Sequence, residues 1–207
     1  MRNVIQTITN PRADEARLGS LYRRLAASRL PVNLYSAHAQ MQRTAAALLH
    51  GLRPGSGSWE ELDGRQLADD VRGDRTALFL AGATGGVAHT STYTRGLLAA
   101  AGTGTIFLTH IEKLSPAAQR VLSAILAAER YTPVGDPYPR AICCRIIVAT
   151  REPLMSWMND LNIEWRLADI LGRVALCAEE VVSILKAEEF KPEQIYDTHP
   201  STLAAAS

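Results

Sequence analysis

Two predominantly apolar runs, GTIFL at residues 104–108 and AICCRIIVAT at residues 141–150, constrain this chain more than any other feature. Neither alternates polar with apolar residues, and both contain β-branched side chains. Such a run reads as a strand covered on both faces, the pattern of a parallel sheet between helical layers. Helical patterns supply those layers. Residues 14–28 place Leu18, Leu21, Tyr22 and Leu25 on one stripe, and residues 40–52 form a helix closed by Gly51 and Pro54. Ser115-Pro116 starts another, with a buried stripe of Val121, Leu122, Ile125 and Leu126. Residues 31–36 and 173–178 read as further strands, and 59–62 as an edge strand. Residues 64–71 and 95–101 have helical character, and 75–81 fits strand or helix. Residues 82–92 form an exposed loop of small and hydroxyl residues, and 133–139 a turn-rich link. Strands alternating with helices imply an α/β fold with a parallel sheet.

With 207 residues, 47% of them hydrophobic, the chain can bury a core of its own. No run approaches the roughly 18 apolar residues of a membrane span, and Met1-Arg2-Asn3-Val4 leads into no secretory apolar segment, so a cytoplasmic protein is expected. Cys143, Cys144 and Cys177 make no disulfide framework and are expected as buried free thiols. His38, His50, His89, His110 and His199 stand at no ligand spacing from a cysteine, so no metal is expected. A net charge of +1 gives no general pull toward nucleic acid, and direct DNA binding is not expected. Lys113, Lys186 and Lys191 are the only lysines, so the first 112 residues have none.

The order of strand, loop, helix, loop, GTIFL strand, Ser-Pro helix and RIIVAT strand resembles the AAA+ domain of bacterial sigma-54-dependent transcription activators, from about residue 30 to about residue 177. Where that family reads GGTLFLDEIGEL, this chain has Gly104-Thr105-Ile106-Phe107-Leu108-Thr109-His110-Ile111-Glu112-Lys113-Leu114. The family's Gln- and Leu-spaced helix corresponds to Ala118-Gln119-Arg120-Val121-Leu122, and its Val-Gly turn to Pro133-Val134-Gly135. Its VRVIAATN strand corresponds to Cys144-Arg145-Ile146-Ile147-Val148-Ala149-Thr150. The resemblance implies a three-layer, P-loop-NTPase-like parallel sheet flanked by helices, with the lid subdomain reduced or absent. Residues 1–178 would be the core with its N-terminal helix, and 179–207 a residual lid helix and tail.

The resemblance also implies that the motor chemistry is lost. A phosphate loop needs glycines that let backbone N–H groups close on the phosphates, and a lysine that reaches the β and γ oxygens. At the place of the family's GESGTGKE stands Ser36-Ala37-His38-Ala39-Gln40-Met41-Gln42-Arg43, without glycine and with Gln42 at the lysine position. Arg43 falls one residue on, about 100° round a helix. The Asp-Glu pair that holds magnesium and polarises water is replaced by Thr109 and His110. A histidine can act as a base near neutral pH, but without the other parts His110 is expected to cap the strand. Arg151 stands at the sensor asparagine. Arg166 and Arg173, the latter in DILGRVAL against the family's DLYYRLNV, lie near the arginine-finger region and are expected in surface or intersubunit contacts. The sigma-contacting GAFTGA loop is replaced by Gly85-Gly86-Val87-Ala88-His89-Thr90, without its phenylalanine.

The expectation is therefore a non-catalytic AAA+-like bacterial regulator in transcription control. It would use no cofactor and act by contact with an AAA+ relative, itself or a regulatory protein, as a monomer or dimer rather than a hexamer. The alternative is a nucleotide or cyclic-dinucleotide sensor using Arg17, Arg23, Arg24 and Arg29. A residual ATPase is the third.

Overall fold

The computed structural model describes residues 11–53, 55, 57–84, 94–156 and 163–189. The chain begins with α1 (Pro11–Ala27), β1 (Val32–Tyr35), α2 (Ala39–Gly51), β2 (Trp59–Asp63) and α3 (Asp74–Ala81). The short pair β3 (Gly82–Ala83) and β4 (Thr94–Arg95) follows, then α4 (Leu97–Ala101), β5 (Thr105–Thr109) and α5 (Pro116–Ala128). A second short pair, β6 (Arg130–Tyr131) and β7 (Arg140–Ala141), leads into β8 (Arg145–Thr150), α6 (Trp165–Gly172), β9 (Ala175–Cys177) and α7 (Ala178–Glu189).

The central sheet has five parallel strands in the order β2-β5-β8-β1-β9. Parallel neighbours require crossovers, and the helices between them form the outer layers. Side chains on a strand alternate between faces, which divides the core in two. Ile106, Leu108, Ile146 and Val148 join Leu80 of α3, Leu122 of α5 and Leu167 of α6 on one face. Phe107 and Ile147 join Tyr22 of α1, Leu49 of α2 and Val181 of α7 on the other. Val32 and Leu34 also enter the second core, whereas Asn33 points to the first face and is fully buried. No helix among the described residues is long and apolar enough to cross a membrane.

Several elements depart from the sequence expectation for local reasons. Residues 75–81 become α3 because the Asp70 carboxylate accepts hydrogen bonds from the backbone N–H groups of Gly73 (2.9 Å) and Thr76 (2.7 Å), closing the first turn. Of residues 64–71 only Gly64–Leu67 is helical, as a 3-10 turn. Arg95, expected in a helix, instead pairs with Gly82, and α4 starts after Gly96. In α5 only Leu122 of the expected stripe is fully buried; the helix faces the core with Ala117, Ala118, Gln119, Leu122 and Ser123. Residues 141–150 divide, Ala141 pairing in β7 and the central strand beginning at Arg145. Cys144 is buried as expected, but Cys143 and Cys177 are only half-buried. The helix expected as a residual lid is part of the main body: Ala178, Val181, Val182, Ile184 and Leu185 of α7 are buried in the second core, against α2 and α1.

Candidate functional site

The carboxyl ends of parallel strands are where an open α/β sheet offers a ligand crevice. Here that edge gathers Asp63 from β2, Thr109 from β5 and His110 just after it, Thr150 from β8, Ser36 after β1 and Glu179 after β9. The connection from β1 to α2 is Ser36-Ala37-His38 alone, and the helix is under way at Ala39. The β-region backbone of His38 starts α2, with no side-chain cap.

Gln42 lies in the first turns of α2, 8% exposed, with its side chain turned back under the loop. Its Nε2 donates to the carbonyl of Ser36 at 2.8 Å and to that of Thr150 at 2.6 Å. The amide thus ties the end of β1 to the end of β8. Gln40 and Arg43 face away from this clamp. Arg43 makes a two-armed ion pair with Glu61 of β2, its Nη1 donating to Oε2 at 2.9 Å.

Three further residues shape the edge. The Ser36 hydroxyl donates to Glu179 Oε1 at 2.5 Å and accepts from the His38 N–H at 2.9 Å. The Ser36 hydrogen bond, with the backbone N–H and the Cys177 thiol, holds the Glu179 carboxyl below its ordinary range. Beneath them, Asn33 Nδ2 donates to Thr150 Oγ1 at 2.7 Å, and its Oδ1 accepts from the Leu154 N–H at 2.8 Å. A polar residue inside an apolar strand was the signal that could have found Asn33. Glu179, one of many acidic residues near a helix start, had no such signal.

At the end of β5, His110 adopts a left-handed backbone with φ of 50°. Its Nδ1 lies 3.3 Å from Thr109 Oγ1 and 3.2 Å from Asp63 Oδ1. Asp63 is held low primarily by its hydrogen bond from the Arg65 side chain. His110 stands at the N-cap position of the following 3-10 turn, with no side-chain cap hydrogen bond.

The remaining sequence candidates do not converge here. Arg151 is exposed beyond β8. Arg166 lies over the Trp165 ring at 5.4 Å, and Arg173 pairs with Asp169 at 2.8 Å. Both line, with Arg29, Leu30 and Trp165, a groove of about 530 Å³ at the opposite end of the sheet. Arg23 lines a different groove over α2, of about 640 Å³, with Gln40 and Arg43. Arg17 and Arg24 line neither groove. Residues 85–90, at the place of the sigma-contacting loop, lie outside the described residues.

Comparison with known proteins agrees with this geometry. In fold, 86% of the chain superimposes on 39% of NtrX from Brucella abortus in complex with ATP, at a TM-score of 0.63 and 16% identity. The P-loop NTPase domain of the sigma-54 transport activator from E. coli is matched over 96% of its length by 82% of this chain, at a TM-score of 0.51 and 16% identity. A Thermotoga maritima RuvB mutant, P216G, gives a TM-score of 0.50 at 14% identity over 79% of this chain and 44% of that one. The fold is that of the AAA+ P-loop NTPases. Residues 76–176, just under half the chain, match the family model of the sigma-54 interaction domain. It spans about two-fifths of the length of NtrX. No curated protein matches the sequence. The family match includes Thr109, His110, Arg151, Arg166 and Arg173 but begins after Ser36 and Gln42.

Proposed function

We propose that this chain is a non-catalytic AAA+-type regulator, working in transcription control through protein contacts and without turning over ATP. Gln42 carries the reading. Binding magnesium triphosphate requires backbone N–H groups arranged round the phosphates, a cation reaching between them and a carboxylate for the metal shell. The residues present do not fit that group. The loop is three residues long, and the amide at the cation position is neutral and engaged with Ser36 and Thr150. The Glu179 carboxylate borders the loop, where it would repel phosphate. Moving Gln42 aside would strand the Ser36 carbonyl, at a cost of about 1–3 kcal/mol when buried, and leave the Thr150 carbonyl with the Ser36 N–H alone.

The partner is an active AAA+ relative, another copy of this chain or a regulatory protein, and the assembly is a monomer or dimer, because no nucleotide is available to bridge subunits. Phosphate release in the presence of magnesium and ATP should stay at the buffer rate, and mass photometry should give the same distribution with and without ATP. Turnover that disappears in Gln42→Ala would overturn the reading.

A second reading, a nucleotide sensor, draws on one observation: Arg23 and Arg43 line the same groove over α2. Calorimetry with nucleotides separates the two, since a contact-only regulator gives no heat and a sensor gives heat that Arg23→Gln removes.

A further inference from the structure

At the end of the sheet opposite the Gln42 clamp, a buried guanidinium group lies near a second, half-buried one. Arg145 opens β8 and is fully buried, the largest side chain in the interior. Its Nη2 donates to the carbonyl of Ala26, at the end of α1, but its Nε and Nη1 have no hydrogen-bond partner among the described residues. Arg53, just past the end of α2, is half-buried, and its Nη1 is likewise buried without a partner. The charged neighbour that acts on Arg145 is Arg53, another cation. His50 completes the surroundings, its Nδ1 2.9 Å from Thr105 Oγ1. Burial first, then Arg145 and Arg53, pushes the His50 pKa down, so the ring is neutral near pH 7.

This arrangement is costly as it stands. A buried cation normally has a counter-charge or loses its proton. Burial and the charge of Arg53 bring Arg145 down to about 10, still well above neutral pH, so it keeps its charge. The carbonyl ends of α1 and α2 offer partial negative charge, but helix dipoles offset only about 0.3–2 kcal/mol. Three N–H-bearing atoms on two side chains remain directed into the interior without an acceptor.

We propose that Arg145 and Arg53 form a binding site for a tetrahedral oxyanion of the phosphate class, held by their unpartnered guanidinium N–H groups and reached along the half-exposed Arg53. Two guanidinium groups suit such an anion: its several oxygens accept from two directions at once, and its charge removes the repulsion between the arginines. The site is independent of the Gln42 edge and of whether the chain hydrolyses ATP. The anion is either free phosphate or the phosphate of a nucleotide.

The test is thermal unfolding and calorimetry of the full chain at constant ionic strength, with sodium chloride exchanged for inorganic phosphate and, separately, with AMP added. The wild-type midpoint should rise with the logarithm of phosphate concentration above the dissociation constant, by about 5–10 °C at a hundredfold excess over it. Arg53→Gln, a change at a half-exposed position, should fold and lose the rise. Heat with inorganic phosphate that Arg53→Gln abolishes assigns the free anion. Heat with AMP alone, abolished in the same variant, assigns a nucleotide phosphate. Should phosphate and AMP give no more than chloride, or the same response in Arg53→Gln, the site is overturned. Arg145→Met provides a second check: it should remove the phosphate response, and a variant that is more stable than wild type at saturating phosphate also counts against the proposal.

Discussion

Gln42 acts on the fold through two hydrogen bonds, and its removal has a calculable consequence. In Gln42→Ala the carbonyl of Ser36 loses its donor, while that of Thr150 keeps the Ser36 backbone N–H, so stability should fall by about 1–3 kcal/mol in urea unfolding. Gln42→Glu should cost more, because a carboxylate beside two carbonyl oxygens is repelled by both; a milder effect than that of alanine would show that the clamp is not the source of the stability. Glu179 and His50 make the stability depend on pH in separate ranges. The folded pKa of Glu179 is depressed, so its contribution is complete above the ordinary glutamate value of 4.5 and is lost as pH falls through the lower folded value. Glu179→Gln should flatten the acid limb below about pH 4.5. The pKa of His50 is also depressed: the unfolded chain takes up its proton first, and stability falls as pH drops below 6.5 toward the folded value. His50→Gln should remove that slope while leaving the acid limb in place, as guanidinium titrations at stepped pH would reveal.

The elements meet at backbone contacts that admit no side chain. Gly104, at the entrance to β5, approaches β2 so closely that a β-carbon there would lie 1.9 Å from the carbonyl oxygen of Ser58. The same strand pair closes at its other end on Gly64, where a β-carbon would lie 2.2 Å from the carbonyl oxygen of His110. Gly104→Ala should therefore separate the first pairs of β2 and β5 and cost at least the roughly 1–3 kcal/mol typical of overpacking. Amide exchange should accelerate across β2 before the other strands; uniform protection would contradict this. The strands were legible in the sequence because their apolar runs are interpreted without reference to neighbours: 104–108 became β5, and 145–150 became β8. Helix α5 was legible in position, from Ser115-Pro116, but not in rotation. Apart from Leu122, its large residues sit at the margin while Ala117, Ala118 and Ser123 face the core, a tertiary preference that a hydrophobic stripe does not encode. At the site, the sequence identified Gln42, Thr109 and His110 as positions of interest but not what they bind. The Thr150 carbonyl that Gln42 reaches lies 108 residues further along the chain.

For the whole molecule, the decisive question is whether the end of the chain is an appendage. A lid in the sense of a separate subdomain would unfold on its own, leaving the core standing. Helix α7 cannot do so here, since Val181 and Leu185 share a core with Leu49 of α2, Tyr22 of α1 and Phe107 and Ile147 of the central strands. Removing α7 would expose the apolar surface over the middle of one sheet face, and each large side chain so uncovered forfeits about 1.5–3 kcal/mol, against a total stability of about 5–15 kcal/mol. A chain ending at Cys177 should therefore lack a cooperative thermal transition. Within the intact chain, Leu185→Ala should lower the midpoint of a single transition by the equivalent of about 2–5 kcal/mol rather than split it. Circular dichroism and intrinsic tryptophan fluorescence would give coincident curves, because Trp59 packs against the same second core as α7. Two separated transitions, with the fluorescence change confined to the later one, would mean that α7 is a dispensable module after all. The surface it covers on α2 would then be open to a different helix, including one from a partner protein.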